Sequence, residues 1–130
     1  MRHRDWLLAT RTRDRLRAQW RNLFKEFDVI LCPVMPTLSF PHDHTPDPDV
    51  RHLEVDGTAV SYSHQYTWVS IATLLGLPAT AIPIGQSETG LPIGIQIIGD
   101  YLEDKTTIEF AKFIEREFGG FTPPAIDLMK

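Results

Sequence analysis

Apolar residues recur at helical spacing from Leu16 through Trp20, Leu23 and Phe24 to Phe27, and this stripe predicts an amphipathic helix over residues 5–27. Trp6 and Leu7 sit a few turns earlier on a more polar stretch, with no evident packing partner. The pattern then changes. Asp28-Val29-Ile30-Leu31-Cys32 is a continuous apolar run, rich in β-branched residues and closed by Pro33. Such a run predicts a strand over 28–32 buried on both faces, as in parallel or mixed sheets. Residues 33–49 hold five prolines among histidines and aspartates. Proline has no N–H for a ladder and cannot continue a helix, so this segment reads as a long loop.

Leu53-Glu54-Val55 and Thr58-Ala59-Val60 flank Asp56-Gly57, the dipeptide favoured in tight hairpin turns. Trp68, Ile71, Ala72 and Leu75 return to helical spacing, predicting a helix over about 62–75 that stops at Gly76. Residues 79–84 and 93–99 read as two neighbouring strands joined by a polar turn, Gln86 to Gly90. Asp104 is placed to cap a last helix with Ile108, Ala111, Ile114 and Phe118 on one face and Gly119-Gly120 at its end. The expected fold is α/β: one mixed sheet of the strands at 28–32, 79–84 and 93–99, covered by helices, with the hairpin standing apart.

With 130 residues, 42% hydrophobic and 23% charged, the chain fits one ordered domain and excludes a disordered or collagen-like class. No apolar run approaches the roughly 18 residues of a membrane span, and the first residues lack the core of a secretory signal. The expectation is a soluble, cytoplasmic chain with no membrane partner. A lone cysteine, Cys32, rules out an internal disulfide and any zinc site of several thiolates.

Charge changes the picture further. Residues 1–27 carry 8 Lys/Arg and 3 Asp/Glu, whereas residues 28–130 carry 5 and 14. A basic arm can bind nucleic acid, but Arg11, Arg13, Arg15 and Arg17 alternate along the helix and scatter around it. The plainer expectation is no nucleic-acid partner and a solvated helix docked on an acidic body.

Candidate chemistry is sparse. Cys32, at the end of an apolar strand, reads as a small buried hydrophobe more readily than as a nucleophile. His42, Asp43, His44, Asp47, Asp49 and His52 are potential metal ligands, yet a proline-rich loop supplies little of the fixed geometry a metal site needs. Ser61 or Ser63 with His64 has the residue types of a nucleophile and base but not a convincing spacing. Gly-x-Ser-x-Gly, phosphate-loop and His-Glu-x-x-His motifs do not occur, so neither cofactor nor metal is expected.

One longer pattern is specific. Trp68 followed by Leu74-Leu75-Gly76-Leu77-Pro78-Ala79, then Pro83-Ile84-Gly85, then Gly90-Leu91-Pro92-Ile93-Gly94-Ile95-Gln96-Ile97-Ile98-Gly99, resembles the C-terminal part of the amidase signature family. Asp28 to Pro33 followed by Pro36-Thr37, and Tyr101-Leu102-Glu103-Asp104 leading into a helix, are similar to the same family in the same order. The resemblance covers nearly the whole chain, to Phe121. It implies the C-terminal portion of the amidase signature fold across residues 1–130, and hydrolysis of the carbon–nitrogen bond of linear amides by the complete enzyme.

Family members use a serine nucleophile, a second serine on a cis peptide and a lysine base, carried by a Gly/Ser-rich signature that these 130 residues do not contain. The resemblance therefore implies no catalytic residue here. It implies a contribution to the central sheet and to one wall of the substrate pocket, with Tyr66, Thr67 and Trp68 as substrate-binding candidates. The alternative is a non-catalytic interaction module derived from an amidase. On the fragment reading, surface made for burial is expected at Trp6, Leu7, Leu8, Tyr66 and Trp68; their burial in a closed monomer would favour the module. A second copy or a complementary amidase fragment is the partner such a surface calls for.

Overall fold

The computed structural model describes residues 2–123. Helix α1 spans His3–Leu23, followed by strand β1 at Ile30–Pro33, a hairpin of β2 (His52–Val55) and β3 (Thr58–Ser61), and helix α2 at Val69–Leu75. Strands β4 (Ala79–Gln86) and β5 (Pro92–Ile98) then lead to helix α3 at Asp104–Phe118. Single 3-10 turns at Pro48–Val50 and Tyr62–Tyr66 flank the hairpin.

The three expected strands form one sheet in the order β1-β5-β4, and the Asp56-Gly57 hairpin is a separate two-stranded sheet. Both pairs in the main sheet are antiparallel, with Ile98 opposite Ile30 on one side and opposite Ala79 on the other. A mixed sheet would need a parallel neighbour, and none lies among the described residues. Burial of β1 on both faces also fails: Cys32 is buried while Leu31 is 48% exposed. The continuous apolar run misled because β1 is an edge strand whose second face opens onto a groove.

Helices cover the sheet at one end. Ile98 and Cys32 pack with Ala72, Leu75 and Leu77, and against these lie Leu16 and Trp20 of α1 and Phe24 in the turn after it. On the opposite face Ile97 packs with Ala111 and Ile114 of α3. Successive residues of β5 thus anchor two clusters, as side-chain alternation along a strand requires. Gly94 sits where β4 comes closest, since a Cβ there would lie 3.1 Å from the Ile82 carbonyl oxygen.

The helices differ in extent from the sequence expectation. α1 ends four residues early, in a turn at Phe24 to Glu26. The helix expected over 62–75 is α only from Val69, because Ser61 and Ser63 hydrogen-bond locally and fix a 3-10 turn ahead of it. α3 has Glu103 at its cap position, with Asp104 in the first turn, where a carboxylate meets the positive end of the helix. Its end at Gly119 is as expected.

α2 ends at Gly76 in the left-handed region, φ 64° and ψ 39°, and the Leu77 N–H closes the turn on the Ala72 carbonyl at 3.0 Å. Arg17 holds this junction. Its Nε donates to the Leu75 carbonyl at 2.6 Å, and its guanidinium lies 4.6 Å from the centre of the Tyr101 ring. One α1 side chain therefore ties the end of α2 to the turn after β5. Arg17→Met removes a charged hydrogen bond of this kind and should cost about 2 kcal/mol. Urea denaturation checks it, and an unchanged midpoint would contradict the role.

Candidate functional site

An open concavity of about 1190 Å³ lies between the sheet and the proline-rich loop. Leu31 to Pro33 of β1, Ala81 to Ile84 of β4 and Pro92 to Ile95 of β5 form its floor. Val34 to Ser39 form its rim, with Asp56 of the hairpin at one side. Sequence dictates this shape. Pro33 ends β1 and the chain bends through residues 34–38, so the loop stands beside the sheet and leaves the strand ends uncovered. Leu31 and Ile84 consequently present apolar surface. Such a surface can hold an apolar group or another layer of protein.

Cys32 forms part of the floor and is a free, buried thiol. Burial pushes its pKa above the ordinary 9.0, opposed by a hydrogen bond with Gln96. It stays protonated and poorly nucleophilic at neutral pH. Gln96 is buried in the centre of β5, and its Nε2 donates to the Pro33 carbonyl at 3.0 Å, fixing the point where strand becomes loop. Sequence reasoning passed over Gln96. The available signal was a single amide inside the run Ile93 to Ile98.

The other candidates lie elsewhere. Tyr66 is 60% exposed and Thr67 is also exposed at the start of α2, outside the groove. Trp68 is half-buried against the cluster of Cys32, Leu75 and Ile98, so its expected exposure alongside Trp6, Leu7, Leu8 and Tyr66 is corrected by helix packing. Ser61 and Ser63 pair with each other, Oγ to Oγ at 3.0 Å, and among the described residues no hydrogen bond joins either to His64.

The His42 and His44 rings are 5.8 Å apart, centre to centre. Asp43 accepts the Thr45 N–H at 2.9 Å, and hydrogen bonding by Thr45 lowers its pKa. Asp47 accepts the Asp49 N–H at 3.0 Å, capping a 3-10 turn. His52 lies on β2. These carboxylates organise the loop's backbone, and among the described residues no group of three or more His, Cys, Asp or Glu side chains converges as a metal site.

The family model described as Amidase matches residues 1–108. The chain belongs to the amidase family. Among its relatives is a glutamyl-tRNA(Gln) amidotransferase subunit from Archaeoglobus fulgidus, 32% identical over 114 residues, which are 88% of this chain and 22% of that protein. A crystal structure of an amidase superposes with a TM-score of 0.74 at 25% identity, over 92% of this chain and 26% of the other. A third neighbour, at TM-score 0.72 and 26% identity over 88% of this chain and 24% of the other, belongs to a vestigial protein complex bearing on the origin of an s-triazine catabolic enzyme. This amidase-family chain thus spans about a fifth to a quarter of the proteins it matches. No helix among the described residues is long and apolar enough to cross a membrane.

Proposed function

We propose that this chain supplies the sheet and one apolar wall of a linear-amide hydrolase, inactive alone and completed by a polypeptide that carries the serine nucleophile and lysine base. The groove supports this reading: strand ends and loop together leave an uncovered apolar floor, in a chain matching only a fifth to a quarter of its relatives. Acyl transfer needs an activated nucleophile and oxyanion donors within about 3 Å of the reacting carbonyl. The groove's polar groups, Thr37, Ser39 and Asp56, are not such a set.

Tyr66 and Thr67, exposed ahead of α2, border the substrate once the second part is in place, and Trp68 holds that turn on the core. The partner is a complementary amidase fragment, as the likeness to a member of a vestigial complex suggests. A cytoplasmic setting fits the free thiol of Cys32.

Titration against an amidase polypeptide lacking the matching portion tests the reading. Leu31→Asp and Ile84→Asp place a charge on the apolar floor and are expected to weaken association at least about tenfold. Phe113→Ser, on the outer side of α3, should leave it unchanged. Equal binding by all three variants would count against the groove as the contact.

A further inference from the structure

α1 presents a second face that the fold does not use. Its 21 residues extend about 31 Å at 1.5 Å per residue, but its packing on the body comes from Leu16, Trp20 and Phe24 in the second half. From Arg2 to Ala9 every side chain is exposed, and Trp6 stacks on His3 of the same helix instead of on the body. Arg4, Arg11 and Arg15, spaced by seven and four, line up on the side opposite the packed stripe, with Leu7 and Leu8 beside them. All five are exposed. Together they form a basic strip with an apolar seam.

A complementary surface exists on the same chain. Residues 41–60 hold Asp43, Asp47, Asp49, Glu54 and Asp56 against a single cation, Arg51, which is engaged with the Thr45 carbonyl and the Tyr62 ring. Exposed Val50 gives this segment an apolar spot as well. Among the described residues no hydrogen bond or ion pair links the two surfaces within the protomer. Among the described residues the ion pairs are Arg13 with Asp14 and Lys112 with Glu109, both local, so the expected docking of a basic helix on an acidic body is achieved by apolar packing and Arg17 alone.

We propose that the outer face of α1 docks on the acidic 43–56 segment of a second copy of this chain. Two-fold symmetry satisfies both copies at once, each arm lying on the other's loop, because an isologous interface uses the same two patches reciprocally. Apart from Asp56 at the groove's edge, the contact uses neither the groove nor Tyr66 to Trp68, and the variants that test it touch none of these, so it stands or falls independently of the amidase role.

Light scattering of the full chain over a dilution series tests this. A dimer is expected at 0.1 M salt. Raising salt to 1 M contracts the Debye length from about 10 Å to about 3 Å and should raise the dissociation constant about tenfold or more. Arg4→Glu/Arg11→Glu/Arg15→Glu and Asp49→Lys/Glu54→Lys should each be monomeric with unchanged helical circular dichroism. Mixed together they should form a heterodimer. Four outcomes would overturn the proposal: a monomer at every concentration in low salt, a dimer indifferent to salt and to the arginine reversals, failure of the two reversed variants to pair, or binding of the arm to anionic vesicles by a chain that stays monomeric.

Discussion

Ile98→Ala is expected to destabilise the chain by about 2–5 kcal/mol, a large part of the total stability of a domain this size. Ile98 is fully buried on the central strand and packs with Cys32, Leu75 and Leu77, behind which α1 and α2 lie. Truncation removes the transfer energy of its outer carbons and leaves a cavity walled by three elements that cannot all close in. Ile97→Ala should cost a similar amount through the opposite cluster with Ala111 and Ile114. Leu31→Ala, on the exposed floor of the groove, should cost less than about 1 kcal/mol, because its side chain is already half in water. Urea denaturation of the three variants checks the ordering. Equal losses at Leu31 and Ile98 would mean that the groove face is core, and that the chain is closed on that side.

That ordering follows from what the amino-acid pattern did and did not reveal. The pair of strands at 79–84 and 93–99 was legible because Gly90 and its polar neighbours punctuate two β-branched runs. The stop of α2 was equally legible in Gly76, whose left-handed conformation an L side chain rarely adopts. Antiparallel pairing of β1 was not, since a continuous apolar run looks the same in a parallel sheet and at an edge facing a groove. The 3-10 turn at Tyr62–Tyr66 was hidden by serines whose local hydrogen bonds compete with the helix.

The site was legible only as a likeness. Glycine and proline positions carried the family, but the groove is built from residues 31–39, 81–84 and 92–95, which converge only through sheet order. Tyr66 and Thr67 stood out because they precede the motif and Trp68 because it opens it, and the groove's lining includes none of the three. The roles of Gln96 and Arg17 were not legible because each acts on a distant carbonyl, of Pro33 and Leu75, and long-range polar contacts leave no periodic trace.

The largest effect is expected in catalysis. Chain alone, given a simple aryl amide, should show no turnover above buffer, since apolar walls and hydrogen-bonded hydroxyls cannot replace a nucleophile and its base. An amidase polypeptide lacking the portion that this chain matches should be equally inert, with part of its sheet and pocket wall removed. Combining the two is expected to restore both and to raise turnover by at least about a hundredfold, the scale on which positioning losses reduce enzymatic rates. Ile84→Asp in this chain should raise at least about tenfold the concentration needed for the gain. The decisive measurement is therefore the initial rate of aryl-amide hydrolysis by the two polypeptides mixed, compared with each alone. Activity is expected only in the mixture and should be sensitive to a serine-directed reagent; turnover by this chain by itself, or none in a mixture shown to be associated, would refute its role as the missing wall of an amidase.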